Sequence, residues 1–88
     1  MLDYNHLSEV FKALSNPIRL KIVAGLCEHE CNVGLIQKNL SVPQATVSQH
    51  LRILRMTGIV VERREGKKKC YHVCDPLIIK IIDLLKRT

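Results

Sequence analysis

The stretch SVPQATVSQHLRIL, residues 41–54, constrains this chain more than any other. Val47, Leu51 and Leu54 recur at i, i+4 and i+7, the spacing of one buried stripe on an amphipathic helix. Thr46, Gln49, His50 and Arg52 are then left mostly outward. Pro43 suits a first helical turn, where its missing N–H goes unused, and Ser41 can cap that turn. Just upstream, residues 33–40 carry another short helical pattern. Two helices joined by a tight turn, the second polar and basic outside, make the helix-turn-helix layout.

The flanking segments complete a small fold. Residues 4–14 predict an amphipathic helix with Leu7, Val10, Phe11 and Leu14 on one side. Ser15-Asn16-Pro17 breaks it and starts the next helix, with Asn16 as cap and Pro17 in the first turn. That helix runs to about Cys27 and turns Ile18, Ile22, Val23 and Leu26 inward. Residues 28–30 are a polar connection, and Cys31-Asn32-Val33 reads as one short strand. Gly58 stops the second helix of the helix-turn-helix. A hairpin follows: residues 59–63 are β-branched and alternating, residues 70–73 answer them, and the loop between holds Gly66. Asp75-Pro76 opens a last helix. The reading is a single domain over residues 1–88, mainly α with a small β-hairpin (α+β), in the order α-α-β-α-α-β-β-α: a winged helix-turn-helix. No repeat, low-complexity segment or linker interrupts it.

Size bears on assembly. An 88-residue chain builds a marginal core, yet 47% of the residues are apolar and few are aromatic, which favours aliphatic helix packing. On the last helix Lys80, Asp83 and Arg87 share one stripe, while Leu77, Ile78, Ile79, Ile81, Ile82, Leu84 and Leu85 cover the rest. A terminal helix on a monomer needs one apolar face. The inner face is read as packing on this chain and the outer as a contact with a second copy. The alternative is that the core swallows the whole helix. No run reaches the roughly 18–20 apolar residues of a membrane span. The N-terminus lacks a basic region and an apolar signal core, so nothing indicates export. The expectation is a cytoplasmic protein with no membrane partner.

The net charge of +6 is unevenly placed: −1 over residues 1–30, +6 over residues 31–74 and +1 over residues 75–88. The excess sits on the helix-turn-helix and the hairpin, whose tip carries Arg63, Arg64, Lys67, Lys68 and Lys69. Concentrated positive charge favours a polyanion through counterion release. A basic hairpin tip after a helix-turn-helix lies along the backbone or in the minor groove.

Three segments in order resemble one family. Residues 14–22, LSNPIRLKI, look like its second-helix opening, and residues 44–54, QATVSQHLRIL, look like its recognition helix. Gly58-Ile59-Val60 with Arg63, Arg64, Gly66, Lys67 and Tyr71 resembles its wing. The family is the ArsR/SmtB group of bacterial and archaeal winged-helix repressors. The resemblance implies a homodimer built on the first and last helices, residues 4–14 and 76–87, through Leu7, Phe11, Ile78, Ile81, Ile82 and Leu85. It also implies a roughly palindromic DNA operator, with half-sites about one helical turn apart, and release when an effector is sensed, usually a metal or metalloid ion and in some members sulfur or redox chemistry. The family's metal box, Glu-Leu-Cys-Val-Cys-Asp-Leu, does not carry over. Here it reads Glu30-Cys31-Asn32-Val33-Gly34-Leu35-Ile36. The C-terminal zinc site of other members also fails, because Leu77 stands where a His is needed and the last helix has no His. No metal ligand is assigned.

Cys27, Cys31, Cys70 and Cys74 remain. Cysteines in a reducing compartment more often serve metal or redox chemistry than a static framework. Their spacings lack the x2 knuckle of zinc sites. Cys70 and Cys74 on one strand would sit about 13 Å apart, too far for one disulfide. Pairing of an early cysteine, Cys31 or Cys27, with a late one is the sharper expectation, and it would tie the wing to the core. Lys67, Lys68 and Lys69 beside Cys70 favour its thiolate. Oxidation, persulfide bridging or a soft metal ion bound by these cysteines would each move the wing; alternatively all four are inert small hydrophobes. No cofactor is certain. His72 reads as structural or surface and His6 as surface, while His29, between Cys27 and Cys31, is a possible third ligand.

These readings converge on a homodimeric transcriptional repressor whose partner is double-stranded DNA. Gln44, Thr46, Ser48 and Gln49 are the expected base or near-base contacts. Arg52 and His50 are expected on phosphate, with Arg63, Arg64 and Lys67 to Lys69 on the backbone. The rival is a winged helix used for protein contact, which would show apolar or aromatic anchors on its docking face. An enzyme is disfavoured, since no Ser/His/Asp arrangement or phosphate-cradling Gly loop is present.

Overall fold

The computed structural model describes residues 2–29 and 33–88. Five helices and one hairpin follow in the order α1 (Tyr4–Leu14), α2 (Pro17–Glu28), α3 (Val33–Leu40), α4 (Gln44–Met56), β1 (Val61–Glu65), β2 (Lys68–His72) and α5 (Pro76–Lys86). The architecture is the expected winged helix-turn-helix with a corrected element order. Val33 opens α3 rather than closing a strand, and among the described residues the sheet has two strands. Val33, Ile36 and Leu40 fall at i, i+3 and i+7 against the core, so the helical stripe outweighs the β propensity of one branched residue. Cys31 and Asn32, the rest of that expected strand, lie outside the described residues.

Short polar side chains fix the helix starts. Asp3 accepts from the His6 N–H, Asn16 from the Ile18 and Arg19 N–H groups, and Asp75 from the Leu77 N–H. Each satisfies donors that a helix leaves unpaired in its first turn. Ser41 does not cap α4. It sits in the left-handed region at φ 56°, its N–H donating to the Gln37 carbonyl, and so ends α3 instead. The residue at the cap of α4 is Pro43, with no side-chain hydrogen bond; its carbonyl accepts from Thr46 and Val47.

The core is one aliphatic cluster. Ile22, Val23 and Leu26 of α2 meet Val47, Leu51 and Leu54 of α4, with Val10, Ala13, Leu14, Ile36, Ile59, Val60, Val73, Ile78 and Ile82 around them. Burying each such side chain fully stabilises the fold by about 1.5–3 kcal/mol. Ile78 and Ile82, expected at the dimer contact, therefore face this chain's own core. The outward apolar groups on the terminal helices are Tyr4, Phe11, Leu77, Ile79, Leu84 and Leu85, with Leu7 and Ile81 half-buried.

The hairpin register also differs from the expected one. Ile59 and Val60 are buried but precede the strand, and the strands run further toward the tip than residues 59–63 and 70–73. Only Gly66 and Lys67 lie between β1 and β2. Gly66 has φ 66° at the first central position, where a type II′ two-residue turn needs it. The pairs are Val61↔His72, Glu62↔Tyr71, Arg63↔Cys70, Arg64↔Lys69 and Glu65↔Lys68.

Candidate nucleic-acid interface

α4 presents its polar side outward because its apolar stripe is used up in the core. Val47, Leu51 and Leu54 are buried, while Gln44, Ser48, Gln49 and Arg52 are exposed and Thr46 is half-buried. No large apolar side chain is exposed on α4 before Ile53. Amide, hydroxyl and guanidinium groups on one accessible face match the donors and acceptors of base edges in a major groove.

His50 is placed differently from its outward-facing neighbours. It is half-buried, and its Nδ1 lies 3.4 Å from Arg19 Nη1 on α2. A guanidinium can only donate, so Nδ1 accepts and the ring proton belongs on Nε2. Burial, and then the Arg19 charge, hold the His50 pKa below its ordinary value. Arg19 is itself anchored by its Nε–H on the Ala13 carbonyl. The histidine expected on phosphate is thus a neutral group braced against α2.

The wing leaves α4 through a tight corner. Gly58, at φ 81°, donates to the Arg55 carbonyl, and the Ile59 and Val60 N–H groups both reach the Leu54 carbonyl. Arg55 on α4 pairs with Glu62 on β1 at 3.4 Å. Tyr71, opposite Glu62, has its pKa raised by burial and by its hydrogen bond to that carboxylate. These contacts hold the hairpin at a set angle to α4.

Arg63, Arg64, Lys67, Lys68 and Lys69 are all exposed. Arg64 stands directly across from Lys69, and like charges in opposed strand positions are destabilising unless an anion lies between or beside them. The other face of the ribbon holds Val61, Arg63, Glu65, Lys68, Cys70 and His72. Arg63 points its guanidinium at Cys74, with Nη2 3.7 Å from Sγ. Glu65, Cys70 and His72 bring one ligand-type atom each within 4.8 Å of one another, a grouping the sequence reading missed. A hairpin counted outward from the two-residue Gly66-Lys67 turn would have found it.

The cysteines separate. Cys70 is buried and held in a disulfide, while Cys27 and Cys74 are thiols. Cys27 packs against the core and Cys74 is exposed. Cys31 lies outside the described residues, as does the possible grouping of His29 with it. Glu65 sits 3.4 Å from Cys70 Sγ, so the group beside that sulfur is a carboxylate as well as the lysines expected from the sequence.

Residues 16–61 match the family model described as bacterial regulatory protein, arsR family. The chain belongs to this family. It is 39% identical over 87 residues to the uncharacterized HTH-type transcriptional regulator MJ1325 of Methanocaldococcus jannaschii, covering 97% of each chain. It is 35% identical over 81 residues to the biofilm growth-associated repressor of Xylella fastidiosa, covering 92% of this chain and 71% of that one. Among solved structures, reduced HlyU from Vibrio cholerae superposes with a TM-score of 0.85 at 32% identity, covering 96% of this chain and 88% of that one. The cadmium metal-sensor CMTR from Mycobacterium tuberculosis gives 0.77 at 30% identity, covering 90% and 81%. The arsR-family chain is therefore a winged helix-turn-helix, DNA-binding transcriptional repressor by family, and not an enzyme. Among the described residues, no helix is long and apolar enough to cross a membrane.

Proposed function

We propose that two copies of this chain join through α1 and α5 and repress transcription at a two-fold operator. Each α4 enters a major groove, each wing lies along the adjacent backbone, and a thiol-directed effector releases the dimer. The observation that carries the DNA reading is the solvent face of α4, with Gln44, Ser48, Gln49 and Arg52 exposed beside an exposed basic wing. Gln49 reads a base edge, and Arg52, Arg64 and Lys67 to Lys69 neutralise phosphates. The exposed Phe11, Leu77, Leu84 and Leu85 supply the apolar surface that a second copy covers. The absence of such anchors on the outer face of α4 before Ile53 disfavours a protein-docking role for that face.

The thiol reading rests on Cys70. We infer that the disulfide at Cys70 is the switch, while Cys27 and Cys74 are thiols. A bond from the wing to another part of the chain would fix the wing against the helix-turn-helix, and reduction would loosen it. The test is fluorescence anisotropy of reduced and oxidised protein on the DNA upstream of its own gene, with peptide mapping of the disulfide. We expect tight binding in one redox state, and at least tenfold weaker binding in the other. Gln49→Ala is expected to cost about 1–3 kcal/mol on operator and almost nothing on random duplex. Equal loss on both would remove Gln49 as a reader, and equal affinity in both redox states would remove the thiol switch.

A further inference from the structure

We propose that the inward face of the wing is a redox-gated site for a zinc-class divalent ion, held by Cys70, His72 and Glu65. This deepens the thiol reading by naming a ligand set, and it depends on Cys70 being reducible.

The three groups lie within 4.8 Å of one another, near enough for one ion to draw them together. Tetrahedral zinc takes sulfur at about 2.3 Å and nitrogen or oxygen at about 2.0–2.2 Å, so its ligand atoms sit about 3.4–3.6 Å apart. Cys70 Sγ lies 3.4 Å from Glu65 Oε2, and His72 Nε2 lies 3.6 Å from Glu65 Oε1. A disulfide sulfur carries no proton to donate, so the first approach is no hydrogen bond while Cys70 is oxidised. The ribbon explains the convergence. Cys70 and His72 are two apart on β2 and share a face, and Glu65 is on that face of β1, diagonal to Cys70. Cys70 and His72 are 4% and 8% exposed, so two ligands are already out of water. Glu65 is exposed and leaves an entry path. Arg63, the cation opposite Cys70, turns to Cys74. Thiolate and carboxylate together balance the charge of a divalent ion.

The gate is the disulfide. A bonded Cys70 sulfur is not a thiolate and makes a poor ligand. A dithiol reductant delivers two electrons and two protons to the bond, giving two protein thiols and its own cyclic disulfide. The ion then replaces the proton on Cys70, forming the metal–sulfur bond and releasing one H⁺. Solvent entering past the exposed Glu65 would complete the four-coordinate shell.

The test is an anaerobic Co²⁺ titration of the full chain, metal-free, before and after reduction. The reduced chain is expected to bind one Co²⁺ with thiolate-to-cobalt charge-transfer and tetrahedral ligand-field absorption, displaced by Zn²⁺. The diamide-oxidised chain is expected to show neither. Cys70→Ser and His72→Ala should abolish the absorption or weaken binding more than tenfold, and Cys74→Ser should leave it unchanged. Glu65 is exposed, so Glu65→Gln is expected to keep the fold by circular dichroism and still weaken Co²⁺ binding severalfold. Absence of the charge-transfer absorption in the reduced chain would overturn the proposal. So would full-strength binding in Cys70→Ser, or in Glu65→Gln and His72→Ala together. Anisotropy on the same samples reads DNA binding separately, so a failed metal site and a failed DNA reading give different results.

Discussion

Replacing Lys69 with threonine separates folding from DNA binding by the sign of two effects. Lys69 and Arg64 are exposed and stand directly opposite each other on the wing. Cross-strand pair terms run about 0.2–1 kcal/mol, and solvent screening places this exposed pair at the low end. Threonine also suits a strand. The free variant should therefore melt about 1–2 °C higher, at roughly 4–8 °C per kcal/mol for a domain of this size. On DNA the sign reverses. Each phosphate contact contributes about 0.9 to the slope of log K against log salt, so a dimer losing two flattens by about 1.8. Carried from 1 M salt to 0.15 M, each contact is worth about 0.7 log units, so two are worth roughly 30-fold in affinity, or about 2 kcal/mol. Anisotropy over a range of about 50–400 mM KCl reads the slope, and a thermal melt reads the stability. The loss should be the same on operator and random duplex, since phosphate carries no sequence information. An unchanged salt slope, or a variant that melts lower, would refute the placement of this pair on DNA backbone.

Two further perturbations test the helix-turn-helix itself. Burial and Arg19 depress the His50 pKa, so the unfolded chain takes the proton more readily. The stability contributed by neutral His50 is complete above about 6.5 and is lost as pH falls from there through the folded value. Arg19→Gln should raise the His50 pKa in an NMR titration while leaving it below about 6.5, because burial remains; an unmoved pKa would break the pairing. At Gly25 a Cβ would meet Ile36 Cγ1 at 2.8 Å. Gly25→Ala should therefore cost about 1–3 kcal/mol in chemical denaturation by forcing α3 off α2, and a stabilised variant would show that α3 gives way freely.

The parts legible in the sequence were those set by local chemistry. The stripe of Val47, Leu51 and Leu54 is buried as spaced, Asn16 caps α2, and Asp75-Pro76 starts α5. The misread parts depended on alternatives a sequence leaves equal. Ser41 is a good cap, but the turn after α3 needed a left-handed residue at that point and took it. On α5, seven apolar residues offered several inner faces, and only packing against α2 selected Ile78 and Ile82. The hairpin was the costliest ambiguity. Extending the strands to Glu65 and Lys68 moved Glu65 from an imagined loop to the face of Cys70 and His72. A histidine taken for a bystander became part of a cluster through that shift alone.

The two-residue turn makes the reach of the wing adjustable in steps. Adding one residue to each strand between the Glu65↔Lys68 pair and the Gly66-Lys67 turn lengthens the ribbon by about 3.4 Å. That is about the axial spacing of successive phosphates along one DNA strand. The pairs nearer the base, Val61↔His72 and Arg63↔Cys70, keep their places, while every added side chain alternates face. Relatives of this chain can therefore lengthen their grip on the backbone one phosphate at a time without disturbing what the inner face of the ribbon holds.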